Sequence, residues 1–176
     1  MKKRVKIFDL AIRYITLLII GILGTSFFYL IFSFLTIKPV YLLLSIFFNP
    51  SLASNIIIIN SLPIEIIGAC IAGSAYYLLL ILNLSMPNIK LGKRILLLLF
   101  SFSLLLILNI LRIFLLSVLY VSRFSFFDIT HKLFWYVGSI VFVVGIWFLG
   151  VSLFKIKEIP FYSDIKYLLK DIKKKN

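Results

Sequence analysis

Of the side chains that most often carry catalysis or bind metals, this 176-residue chain has few: one cysteine, one histidine and six acidic residues. A lone cysteine excludes an internal disulfide and says nothing about the redox compartment. So sparse a set gives no metal site, and neither a metal nor a cofactor is expected. The carboxylates Asp9, Glu65, Asp128, Glu158, Asp164 and Asp171 all fall at or outside the ends of apolar runs. No ion-coupling carboxylate therefore sits within a span, which argues against a transporter. Internal repeats and low-complexity stretches are also missing, and there is no room for a separate soluble domain.

What the chain has in quantity is apolar surface. Hydrophobic residues make up 62% of it, against about 45–50% in a soluble domain, and mean hydropathy is +1.15. Apolar runs long enough to cross a bilayer recur along the chain, each crossing needing about 20 residues. The expected fold is all-α: a polytopic membrane helical bundle of about four transmembrane helices plus an outer interfacial or re-entrant segment, forming one membrane domain over residues 1–176. The start is not read as a cleavable signal peptide, because its apolar run is too long and no small-residue cleavage site follows it.

The formal net charge is +13, and its placement matters more than its size. Basic residues cluster at residues 2–13, at 90–94 and at 155–175. The positive-inside rule assigns these three segments to the cytoplasm. Attraction to the anionic inner leaflet accounts for the charge, so no nucleic-acid partner is expected.

The spans follow from this. Residues 10–37 leave the cytoplasm and end where Lys38-Pro39 breaks the helix on the outer side. Residues 40–63 hold apolar pieces too short to cross, punctuated by Asn49-Pro50 and Leu62-Pro63, and are read as a segment lying on or dipping into the bilayer. Residues 64–84 return inward, 95–121 go out and 132–154 come back. A catalytic three-helix core is expected over 64–154. Residues 1–13 and the basic tail 155–176 would both be cytoplasmic, the tail as a short amphipathic surface helix. The localisation is a multi-pass protein of the cell membrane.

Within this frame three side chains gather in the outer part of the bilayer. At about 1.5 Å per helical residue, Cys70 lies about 21 Å above residue 84, Arg112 about 26 Å above residue 95, and His131 about 35 Å above residue 154. Arg112 is the most telling, because an arginine inside a span costs about 2.5–3.5 kcal/mol and such residues face a bundle interior or a wet cavity. Asn109 shares its helical face. Taken singly, each has a plain explanation. Arg112 can snorkel to headgroups. Cys70 can be a small packing residue among Gly68, Ala69, Ala72 and Gly73. His131 can be an interfacial polar residue beside Trp135 and Tyr136. Together they form the layout of a thiol nucleophile, a proton carrier and an anion-stabilising cation facing outward. Glu65, five residues before Cys70, either touches this site or caps a helix.

The segments ACIAGSAYYLLLILNLSMP, NILRIFLLSVLY and THKLFWY carry these residues. They resemble the signature segments of the archaeosortase/exosortase family, membrane-embedded cysteine transpeptidases, and look closest to its short archaeal branch. The resemblance spans residues 64 to about 150. It implies a proposed active site of Cys70, Arg112 and His131. It also implies substrates that are secreted proteins ending in a sorting signal with one transmembrane helix, and a membrane lipid as acceptor of the cleaved chain. One departure stands out: where many members carry Ser or Thr and then Gly directly after the cysteine, this chain has Ile71 and Ala72, with Gly73 one place later. A rhomboid-like serine protease built on Ser74 and His131 lacks the required Gly-x-Ser-x-Gly and enough spans. The other alternative is a non-enzymatic transporter subunit or assembly factor that binds an anionic lipid or ligand through Arg112.

Overall fold

The structure is a computed structural model that describes residues 2–87 and 89–156. The chain folds into helices α1 (Lys2–Leu23), α2 (Thr25–Ser45), α3 (Gly73–Leu84), α4 (Leu91–Val121), α5 (Phe127–Leu133) and α6 (Ser139–Leu153). Strands β1 (Ser51–Ala53), β2 (Ile56–Ile59) and β3 (Leu62–Glu65) form a small antiparallel sheet between α2 and α3. A 3-10 turn, Gly68–Ile71, leads into α3, and a π-helical turn, Phe134–Gly138, joins α5 to α6.

Three stretches are long and apolar enough to cross a membrane: Thr25–Ser45, Leu91–Val121 and Phe127–Leu153. Leu10–Leu23 and Gly68–Leu84 are apolar but shorter. The long helices expose large apolar side chains, among them Leu30, Leu115, Ile140 and Phe148, as lipid-facing surfaces do. The proposed tail helix lies outside the described residues.

The first expected span, residues 10–37, is two helices. The chain breaks at Gly24, whose φ of 66° suits glycine, and α2 then continues through Lys38-Pro39 to Ser45. Proline therefore does not end this helix. In an apolar setting a helix keeps its remaining backbone bonds internal, which outweighs the single donor lost at Pro39. The second expected span, 64–84, is also not one helix: its first residues belong to β3 and the 3-10 turn, and only residues 73–84 are α-helical.

Residues 40–63, expected to lie on or dip into the bilayer, hold the end of α2 and most of the small sheet. Four consecutive isoleucines form β2, paired with β1 through Ala53↔Ile56 and with β3 through Ile59↔Leu62. β-Branched side chains suit a pleated surface. The turns carry the positive φ that tight hairpins need, at Ser54 in one and at Asn60 and Ser61 in the other. Ile57 and Ile59 point into the core and are fully buried. The fold is thus mostly helical with one small sheet.

The centre of the bundle is aromatic. Tyr76 of α3 stacks on Phe32 of α2, with centroids 3.9 Å apart, and meets Phe102 of α4 edge-on at 5.4 Å. Close approach of α2 to α3 depends on Gly73, where an added Cβ would lie 3.1 Å from both Cβ and the carbonyl oxygen of Thr25. At one end, Arg13 of α1 and Arg94 of α4 both donate to the carbonyl oxygen of Leu84, at 2.9 and 3.0 Å. Both are buried, and cations there complement the negative end of the α3 dipole. Tyr77 Oη adds a bond to the Leu17 carbonyl at 3.0 Å, tying α1 to α3.

Candidate functional site

Cys70 lies in the 3-10 turn just before α3. Its backbone N–H donates to the Ile67 carbonyl at 2.8 Å. The chain then passes through Ala72 in the left-handed conformation, φ 60° and ψ 39°, before α3 begins. This turn lifts Cys70 out of the regular helix and leaves it half-buried. Ala72 thus holds a backbone conformation that glycine ordinarily takes.

Two side chains of α4 hold the turn from behind. Asn109 Nδ2 donates to the Cys70 carbonyl at 2.8 Å, and Arg112 Nη2 donates to the same oxygen at 3.3 Å. Spacing of three residues places both on one face of α4. Arg112 is 7% exposed and Asn109 2%, so neither is a headgroup-snorkelling group. Arg112 Nη1 donates to Ser139 Oγ at 3.3 Å, and that hydroxyl donates to the Phe134 carbonyl at 3.4 Å. Phe134 opens the π-helical turn, whose widened backbone leaves its carbonyl within reach of Ser139. Such turns recur at functional sites. Arg112 Nε is buried and has no hydrogen-bond partner among the described residues.

A cavity of about 270 Å³ opens beside this clamp, lined by Cys70, Arg112 and His131 together with Glu65, Ser117 and Trp135. The three residues singled out in the sequence thus share one space. His131 is exposed, stacks on Phe127 with centroids 5.7 Å apart, and meets Trp135 edge-on at 6.4 Å. Among the described residues no hydrogen bond joins His131 to Cys70 or Arg112. Glu65 lines the cavity without capping a helix; its Oε1 accepts from Asn55 Nδ2 at 3.3 Å. A second cavity, of about 340 Å³, lies beside the cysteine turn and shares Arg112 and Trp135 with the first; Ser74 and Ser139 line it. No group of three or more metal-ligating side chains occurs among the described residues.

Sequence reasoning missed Ser139, which has no motif of its own, and, Glu65 apart, the sheet residues that wall the cavity. It named Asn109 without a role; that residue makes the shortest side-chain bond in the clamp. No family model, no curated protein and no solved structure matches this chain.

Proposed function

We propose that the chain is a membrane-embedded cysteine protease or transpeptidase that cleaves the C-terminal sorting signal of secreted proteins at the outer membrane interface. One observation carries the reading: the chain's single cysteine, its single histidine and a buried arginine, from three separate elements, line one cavity. In this reading four spans, one of them formed by α1 and α2 together, leave both termini in the cytoplasm and the cavity facing outward.

The chemistry follows from the groups. Cys70 Sγ attacks the carbonyl carbon of a substrate peptide bond, and its proton passes to His131. Collapse of the tetrahedral intermediate breaks the C–N bond, and His131 returns the proton to the leaving amine. The product on the protein is an acyl-thioester. A lipid hydroxyl or amine then attacks it, the C–S bond breaks, and the acceptor's proton returns to the thiolate by way of His131. Arg112 supplies a fixed positive charge where the oxyanion develops, with Asn109 and Ser139 as positioning residues behind it.

The test compares wild type with Cys70→Ala and Cys70→Ser in the organism that encodes the chain, with surface proteins analysed by mass spectrometry for retained C-terminal hydrophobic tails. Both variants should accumulate tail-bearing precursors. Normal processing by either variant overturns the nucleophile and leaves the anion-binding alternative through Arg112.

A further inference from the structure

The sheet beside the cavity has a free edge, and its hydrogen-bonding groups can be assigned. The Asn60-Ser61 turn has positive φ at both residues, 50° and 62°, the pattern of a type I′ hairpin. Its closing pair, Ile59↔Leu62, is then a hydrogen-bonded pair, and alternation makes Ile57↔Ile64 another. Ile66 continues the pattern, its N–H donating to the Asn55 carbonyl at 2.9 Å. Residues 62, 64 and 66 therefore turn their backbone groups toward β2, and residues 63, 65 and 67 turn theirs away.

The outward set is a carbonyl at Pro63, an N–H and a carbonyl at Glu65, and an N–H at Ile67. The Ile67 N–H meets no backbone acceptor among the described residues, while the Ile67 carbonyl holds Cys70 N–H. Pro63, Glu65 and Ile67 are exposed, and all three line the cavity that holds Cys70. An open sheet edge is not stable against hydrocarbon; it must meet water, protein or a ligand. Groups that alternate along one line, about 6.6–6.8 Å apart, match another extended backbone and little else.

We infer that the edge of β3 takes an extended peptide as a fourth strand and so delivers a peptide carbonyl to Cys70. This rests on Cys70 being the nucleophile proposed above, and it adds how the substrate is held: by main-chain pairing over Glu65–Ile67, independent of most of the peptide's side chains. Pro63 contributes an acceptor alone, so the paired frame is short and sits at the cysteine end of the strand.

The probe is a hexapeptide mixture randomised in sequence and carrying one benzoylphenylalanine, offered to the full chain in detergent micelles. With Cys70→Ala, photo-capture should map to residues 62–67. It should fall about tenfold when every peptide amide is N-methylated. Ile67→Pro, compatible with the φ of −84° at that residue, should lower capture similarly, while Ile67→Ala, which keeps the N–H, should not. If Ile67→Pro fails to fold, the peptide-side methylation still decides. Capture that ignores methylation, or that maps to α4 instead, overturns the inference, as does a β3–β3 cross-link between two copies that excludes the peptide. A second arm uses the same peptides ending in a vinyl sulfone with wild-type protein. Photo-capture without labelling of Cys70 keeps the strand and removes the nucleophile; labelling that ignores methylation keeps the nucleophile and removes the strand.

Discussion

Arg112 binds the carbonyl oxygen of Cys70 at 3.3 Å, and among the described residues it makes no hydrogen bond to the sulfur. Its guanidinium also reaches Ser139 Oγ at 3.3 Å, so one planar group ties the cysteine turn to the start of α6. A lysine ammonium is a point donor and cannot span both partners in the same plane. Arg112→Lys should lose processing by at least about tenfold, one order being worth about 1.4 kcal/mol in the barrier. Precursor accumulation read by mass spectrometry checks this, and processing at the wild-type rate would reduce Arg112 to a packing role.

Asn109 should behave differently. Asn109→Ala removes the 2.8 Å bond to the Cys70 carbonyl but leaves Arg112 on the same oxygen. The expected loss of stability is about 1–3 kcal/mol, the cost of leaving a buried partner less well satisfied. Thermal unfolding in detergent measures it. Asn109→Asp should be worse, since an ionised carboxylate only accepts hydrogen bonds and would face the Cys70 carbonyl oxygen.

Ala72 supplies a backbone test. An alanine held at φ 60° carries strain of about 1–2 kcal/mol, partly offset on replacement by the greater freedom of unfolded glycine. Ala72→Gly should hold or raise Tm, whereas Ala72→Val should lower it, a β-branched residue being a poor fit to that conformation. A higher Tm for the valine variant would contradict the left-handed turn.

The single cysteine makes the proposed orientation directly measurable. In intact cells a membrane-impermeant maleimide should label Cys70, which is half-buried and lines an open cavity. Labelling only after permeabilisation would reverse the orientation.

The legibility of the chain in its sequence was uneven, for physical reasons. The α4 span and its Asn109–Arg112 face could be read because period 3.6 and the cost of a membrane arginine both leave marks in sequence. The strands leave a weaker mark: Ile56–Ile59 lies between Ser54-Asn55 and Asn60-Ser61, but a run of four apolar residues is too short for its period to declare a strand. Pro39 lies inside α2 because the local cost of a proline yields to the demand that backbone groups in an apolar setting bond internally. The run 64–84 reads as one helix through Cys70, whereas Ala72 breaks it just after the cysteine, and nothing in an alanine announces a positive φ. The shared cavity of Cys70, Arg112 and His131 came from separation along the spans, a measure that survives errors in element boundaries.

The Leu84 carbonyl is the point where three helices are joined. Guanidinium groups from two different helices meet on that one oxygen, fastening α1, α3 and α4 together at a single point. At the other end of α3, the cysteine turn hangs on Asn109 and Arg112 of α4, and Arg112 in turn bonds Ser139 of α6. The two ends of the bundle thus differ: one is closed by two guanidinium groups on a single carbonyl, the other by one guanidinium shared between a carbonyl and a hydroxyl.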